Sequence, residues 1–521
     1  MLFNSYEFIF GFVPIVFLGF LWLAGVSHFL AAGWLTLASL FFYGWWNPAY
    51  VGLLLGSIVF NFMVGVAIGR AAGRSQRRQA RWLLAAGVTG DLALLGYYKY
   101  ADFFLRNVDA VAGTHYAGLG IVLPLGISFF TFTQIAYLAD AYQGKAREYR
   151  FVHYALFVTY FPHLIAGPVL HHKEMMPQFA LASTYRLRWE NIAVGLTIFV
   201  IGLFKKTVLA DGIAQYVGPV FSASATGARL PMLDAWGGAL AYTFQLYFDF
   251  SGYSDMAIGL SKLFGVRLPL NFHSPYKAVN IVEFWRRWHM TLSRFLRDYL
   301  YFPLGGNRRG STRRYVNLMV TMLLGGLWHG ASWTFVIWGG LHGIYLVINH
   351  AWRALATRLG WVRSTPSVIG GAAARLLTFL AVVVGWVFFR ADSLDSALYV
   401  LKGMAGLNGL VLPYRWLEKW GVAGEWLAAH GVEFQNLPTF GGGGQINFIV
   451  ISLIIVWALP NTQQFLSGYR PALNPPDRGP SLARNWWRWR PTTPWLIAGV
   501  VTGVWAILSI SELSEFIYFQ F

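Results

Sequence analysis

The chain of 521 residues is 56% hydrophobic and 18% aromatic, and only 12% of it is charged, half of the roughly 25% usual in soluble domains. That excludes a soluble globular protein and describes an all-α polytopic integral membrane protein. A net charge of +18 does not point to nucleic acid, because the basic residues cluster in short loops between apolar runs; lipid headgroups or an anionic cytoplasmic substrate are the partners it favours.

Met1 to Ser5 carries no basic residue and leads directly into an apolar run, so no cleaved signal peptide is expected. One helix crosses a bilayer with about 20 apolar residues. Apolar runs near 7–24, 29–46, 50–69, 82–98, 116–138, 151–170, 191–210, 233–264, 315–335, 336–352, 371–389, 446–459 and 494–511 predict 11–13 membrane segments, some of them re-entrant. The loop 70–81 holds five arginines and no acid, which predicts a cytoplasmic loop and, three spans back, an N-terminus outside. Arg470 to Arg490, with five arginines and the interfacial anchors Trp486, Trp487 and Trp489, also reads as cytoplasmic. The sparsely charged loop 406–445 is expected outside. No stretch is long enough to form a separate soluble domain, so residues 1–521 are read as a single membrane domain.

Two runs carry polar groups at membrane depth, where such groups must pair or line a cavity. One holds Ser128, Thr131, Thr133 and Gln134; the other holds Gln245, Asp249, Ser251, Ser254 and Asp255. The two aspartates are open to acid–base work, to a metal, or to a structural role accepting from neighbouring side chains. Lys205 and Lys206 read as a snorkelling pair at a helix end. His163 sits at an expected helix break and is read as structural. His171 and His172, being adjacent, do not share a helix face and do not form a metal site. The chain has no cysteine, which removes disulfides, thiol nucleophiles and thiolate ligands, and no metal is expected.

Between Ile281 and Leu304 an amphipathic interfacial helix is predicted, with Trp285, Trp288, His289, Leu292 and Leu296 on one face and a basic face opposite. Arg286, Arg287, Arg294 and Arg297 could grip a phosphate-bearing cytoplasmic ligand, because guanidinium forks match phosphate oxygens; lipid headgroups and internal salt bridges are the other reading.

Between Arg314 and Arg353 run 38 residues without a single Asp, Glu, Lys or Arg. His329 lies in their middle, within Gly325-Gly326-Leu327-Trp328-His329-Gly330. A histidine at membrane depth is a functional hypothesis by default. The flanking glycines predict a broken helix presenting an imidazole to an internal channel, as a general base for acyl transfer or as its nucleophile. His289, placed near an interface, is the second candidate. His342 is read as a satisfied packing histidine.

Taken together, LYFDFSGYSDMAIGL, LNFHSPYKAVNIVEFWRRWHMTLSRFLRDYLYFPLGGNRRG and MLLGGLWHGASWTFVIWGGLHG resemble the bacterial branch of the membrane-bound O-acyltransferase (MBOAT) family. The resemblance is strongest to its alginate and cellulose O-acetylation membrane subunits and more distant to the D-alanine exporter of teichoic acid modification. FFYGWWNP, LGYYKYADFF, LPLGISFFTFTQIAYLAD and FPHLIAGPVL also fit, so the likeness runs from about 40 to 405, leaving the helices and long loops of 406–521 outside it. The resemblance implies an MBOAT-type funnel of helices in the bacterial inner membrane. It implies His329 at the acyl-transfer centre within a tunnel and His289 as the second histidine. Asp249, Ser251, Tyr253, Asp255, Asn271 and Trp328 are the candidates to line that tunnel. It further implies acetyl-CoA as cytoplasmic donor, a periplasmic SGNH-type acetyltransferase or acyl-acceptor protein as partner, and association with a polysaccharide synthase or export complex. The alternative is a transporter or scaffold subunit of such a complex with no chemistry of its own.

Overall fold

The computed structural model describes residues 1–146, 150–165, 167–361, 367–437, 439–473, 488–510 and 517. The anchors Trp486 and Trp487 lie outside them, as does most of the arginine-rich stretch 470–490. The fold is helical because backbone donors and acceptors in lipid must be satisfied within the segment. Its only strands among the described residues are the short parallel pair β1 (Val411–Pro413) and β2 (Glu433–Gln435).

Among the described residues four helices are long and apolar enough to cross a membrane: α1 (Glu7–Ala24), α3 (Ala49–Gly73), Trp189–Ala214 and Val368–Arg390. Between α1 and α3 runs α2 (His28–Gly44), capped by the Ser27 hydroxyl, which accepts from the Phe29 amide. The turns at 45–48 and 74–76 therefore lie at opposite ends of α3, whose 25 residues span about 37 Å. The chain returns in α4 (Arg77–Leu95), passes through a π-helical turn at Gly96–Tyr100, and continues in α5 (Ala101–Ala112). Residues 114–124 are not helical, so the expected span 116–138 is corrected: its helix, α6, is only Ile127–Tyr142. Among its described residues, the expected span 151–170 likewise contains just α7 (Phe151–Thr159) and a short turn at Phe161–Leu164.

At the centre α8 (Trp189–Ala214) runs antiparallel to α9 (Met232–Leu263), which is buried along nearly its whole length. Their backbones touch at Gly202 against Gly252 and at Gly195 against Gly259, where any Cβ would collide with the facing carbonyl. Lys205 and Lys206 do not snorkel. A π-helical turn at Lys205–Ala210 directs them inward, where Lys205 pairs with Asp255 at 2.6 Å and Lys206 with Asp249 at 2.9 Å. Burial in low dielectric makes an unpaired charge costly, and the two aspartates of α9, with Asp211 of α8 itself at 2.7 Å from Lys206, supply the counter-charges.

The single amphipathic helix expected over 281–304 is two: α10 (Ile281–Trp285) and α11 (Met290–Leu296), the latter running into a π-helical turn at Arg297–Tyr301. The cause is local. His289 takes a left-handed backbone (φ 41°), and the Met290 amide donates to the Asn271 carbonyl rather than continuing a helical ladder. The uncharged run forms α12 (Gly310–His329) and α13 (Trp333–Arg358), so the boundary expected at 335/336 moves to 330–332. Gly325 and Gly326 lie inside α12 and do not break it. Gly326 instead admits the backbone of α13: a Cβ there would overlap the Phe335 carbonyl oxygen. The break comes at Gly330, in extended backbone. After α14 (Val368–Arg390) and α15 (Leu394–Met404), the expected loop 406–445 holds the strand pair and two short helices, Tyr414–Trp420 and Val422–Ala429. The apolar helices α16 (Gly442–Ala458) and α17 (Thr493–Leu508) follow.

Candidate active site

The last turn of α12 and the kink before α11 bring both candidate histidines into the core. His289 is 1% and His329 5% exposed, and their ring centroids stand 6.4 Å apart. His289 is thus not interfacial, as expected from an unbroken helix, but central. The left-handed residue that breaks that helix is what turns its ring inward.

The extended segment at Asn271 orients His289. The Asn271 Oδ1 accepts from the Thr291 hydroxyl at 2.9 Å and from its amide at 3.3 Å, and lies 3.1 Å from His289 Nδ1. A carboxamide oxygen can only accept, so Nδ1 carries the proton and Nε2 is the acceptor of the neutral ring. Phe250 packs edge-on against the same ring at 4.8 Å. His329 sits in an aromatic frame of Trp328, Trp338 and Phe389, with centroids at 4.9, 5.2 and 5.1 Å.

Two pockets approach this pair. The larger, of about 590 Å³ including the space at its mouth, is lined by His329, Trp328, Lys99, Ser128, Trp46 and the non-helical stretch beginning at Leu123. Trp46 belongs to the turn between α2 and α3, so this pocket approaches from the end of α3 opposite the arginine-rich turn. The smaller, of about 290 Å³, is lined by Asn271, Ser251, Asp255, Lys205, Tyr247 and Thr462. His289 lies between them, bonded to Asn271 on one side and facing His329 on the other.

The remaining candidates separate. Ser251, Asp255 and Asn271 border the smaller pocket and Trp328 the larger, while Asp249 and Tyr253 border neither: Asp249 is held by Lys206, and Tyr253 stacks on Phe3 at 4.5 Å. Asp255 also accepts from the Thr462 hydroxyl at 2.7 Å. Three of the four arginines are already engaged. Arg287 pairs with Glu283, Arg294 makes a two-pronged bond to Glu174 at 2.7 and 2.8 Å, and Arg297 pairs with its neighbour Asp298. Arg286 is exposed and meets no carboxylate among the described residues. Of the other histidines, His163 Nε2 donates to the Phe157 carbonyl at 2.9 Å, a structural bond. His171 meets the Tyr299 hydroxyl at 2.9 Å. His342 is fully buried against Trp338, and neither of its ring nitrogens has a hydrogen-bond partner among the described residues, so it is packed but not satisfied.

One pair of site residues has no periodicity or charge pattern to announce it. Lys99 and Tyr100, on the π-helical turn after α4, donate to the end of α12: Tyr100 to Leu327 O at 2.9 Å, Lys99 to Trp328 O at 2.6 Å and His329 O at 3.4 Å. A lone lysine between aromatic residues near the end of an apolar run resembles an interfacial anchor, and only the tertiary fold shows what it reaches.

An imidazole bordering a cavity, backed by a second imidazole of fixed tautomer, can remove a proton from a hydroxyl or be acylated itself. Comparison with known proteins agrees with that chemistry. Residues 121–384 match the family described as MBOAT, membrane-bound O-acyltransferase family. The chain is 48% identical to the peptidoglycan O-acetyltransferase of Helicobacter pylori, over 79% of this chain and 81% of the relative. It is 46% identical to an Azotobacter vinelandii protein named Probable alginate O-acetylase AlgI, over 76% of each. It is 30% identical to the teichoic acid D-alanyltransferase of Streptococcus thermophilus, over 44% of this chain and 57% of the relative. Peptidoglycan is an acceptor class that sequence reasoning did not weigh. The chain belongs to the membrane-bound O-acyltransferase family, and is an integral membrane acyltransferase.

Proposed function

We propose that the chain is an O-acetyltransferase of the bacterial inner membrane, taking acetyl groups from cytoplasmic acetyl-CoA and delivering them to an acceptor on the outer side. One observation carries this reading: two imidazoles 6.4 Å apart, with one pocket reaching His329 and another reaching the Asn271 that holds His289. His329 removes the proton of the attacking hydroxyl, or accepts the acetyl group transiently, and His289 supports it. The acceptor is an exopolysaccharide such as alginate or cellulose, a peptidoglycan sugar, or the hydroxyl of a periplasmic SGNH-type protein that passes the group on. The names of the relatives favour an acetyl group and a cell-envelope polysaccharide. Acetyl-CoA phosphates would meet Arg286 and the exposed edges of the paired arginines beside it.

The test is His329→Ala, assayed in membrane vesicles for transfer of radiolabelled acetyl from acetyl-CoA to alginate or peptidoglycan fragments, with and without a periplasmic partner. Loss of a general base or nucleophile lowers turnover by about 10²–10⁴-fold. Normal expression and melting temperature with that loss support the reading; unchanged turnover ends it.

A further inference from the structure

We propose that Lys99 is a positioning residue for His329: its ammonium clamps the C-terminal carbonyls of α12 and so fixes where the imidazole meets the larger pocket. The inference rests on the reading that His329 performs the acyl transfer.

The last carbonyls of any helix lack intrahelical partners and must be satisfied from outside. At the end of α12 the usual glycine cap is absent: Gly330 follows His329 in extended backbone at φ −168°. The donors arrive from another helix. Tyr100 takes Leu327 O, and Lys99 takes Trp328 O at 2.6 Å and His329 O at 3.4 Å. Both come from the π-helical turn Gly96–Tyr100, and π turns inside α-helices recur at functional sites. The third ammonium donor goes to Ser128 Oγ at 3.2 Å, on the first turn of α6, so one cation ties together three elements that wall the pocket.

The charge itself is informative. No carboxylate lies within ion-pairing distance of Lys99 among the described residues, and its counter-charge is the negative end of the α12 dipole. Taking an ammonium out of water without a carboxylate is costly. A cap needed only for stability could be an amide or hydroxyl. The lysine also sets its Nζ 5.9 Å from the centroid of the Trp328 ring, within the same pocket as the imidazole.

The test is a kinetic cycle on the full-length protein in membrane vesicles, with acetyl-CoA as donor. A misplacement of about 1 Å at a reacting group costs on the order of 10²-fold. Lys99→Met is expected to lower kcat by that factor while both KM values stay within about twofold, as for an interaction felt mainly in the transition state. Lys99→Arg keeps the donors and restores most of the rate. In a His329→Ala background, Lys99→Met should cause no further loss, because groups acting as a unit are not additive. Wild-type kcat in Lys99→Met, or an equal loss in both backgrounds, overturns the inference and leaves the role of His329 standing. Full activity in His329→Ala alone sinks the acyl-transfer reading, and the Lys99 inference with it. Should Lys99→Met not fold, Tyr100→Phe removes one donor from the same clamp; a kcat loss confined to the His329 background supports the inference, and an unchanged kcat overturns it.

Discussion

Asn271 shows how much of the site depends on one acceptor atom. Its Oδ1 receives the Thr291 hydroxyl and amide and the His289 imidazole, all within 3.3 Å. Replacement by leucine keeps the branched shape of the side chain and strands those buried donors together. An unsatisfied buried donor costs about 1–3 kcal/mol, and here the loss falls on the left-handed residue that aims the second imidazole. Asn271→Leu is therefore expected to lower the melting temperature measurably and to cut acetyl transfer by about tenfold or more, in line with the loss of one catalytic support. Thr291→Val removes only one donor from the same oxygen and should do neither to the same degree. Melting curves and initial rates on the two variants check this. Similar effects from both would mean that Asn271 merely packs.

The hairpin of α12 and α13 works through close backbone contact. At Gly326 a Cβ would overlap the Phe335 carbonyl, whereas at Gly325 it would meet only the end of the Leu296 side chain at 3.1 Å. Overpacking a tight contact costs about 1–3 kcal/mol. Gly326→Ala should therefore lower stability by that amount and displace His329, three residues on, with a loss of turnover; Gly325→Ala should be nearly neutral. The sequence made much of this stretch legible. An uncharged run of 38 residues with a central histidine marked His329, and the helix hairpin is present within a few residues of its expected bounds. The glycines, however, carry the same signal whether they break a helix or let two helices touch, and only the partner backbone decides. His289 is named by the sequence, but its central position is hidden for a related reason. Its helical periodicity is real in the sequence, yet the competing strand-like bond from Met290 to Asn271 lies 19 residues away in the chain and overrides it. The lysines of α8 read as snorkelling because charge at a helix end is as compatible with that as with pairing, and two of their three aspartate partners, Asp249 and Asp255, stand on another helix.

At the scale of the whole molecule, the proposed direction of transfer is a statement about which pocket faces which compartment. The turn at 45–48, beside the larger pocket, and the turn at 74–76, beside the arginines of α4, lie at opposite ends of α3. On the proposed topology the arginine excess puts the second turn in the cytoplasm and the first, with His329 behind it, outside. In the proposed direction acetyl groups would leave by the larger pocket. The chain has no cysteine, so a single introduced thiol reports its own side without interference. Pro48→Cys and Gln76→Cys place that thiol on exposed residues of the two turns. In right-side-out spheroplasts a membrane-impermeant maleimide should label Pro48→Cys at once and Gln76→Cys only after permeabilisation. The opposite pattern would set the larger pocket against the cytoplasm. It would exchange the donor and acceptor sides and reverse the proposed direction, while leaving the geometry around the two histidines as it is.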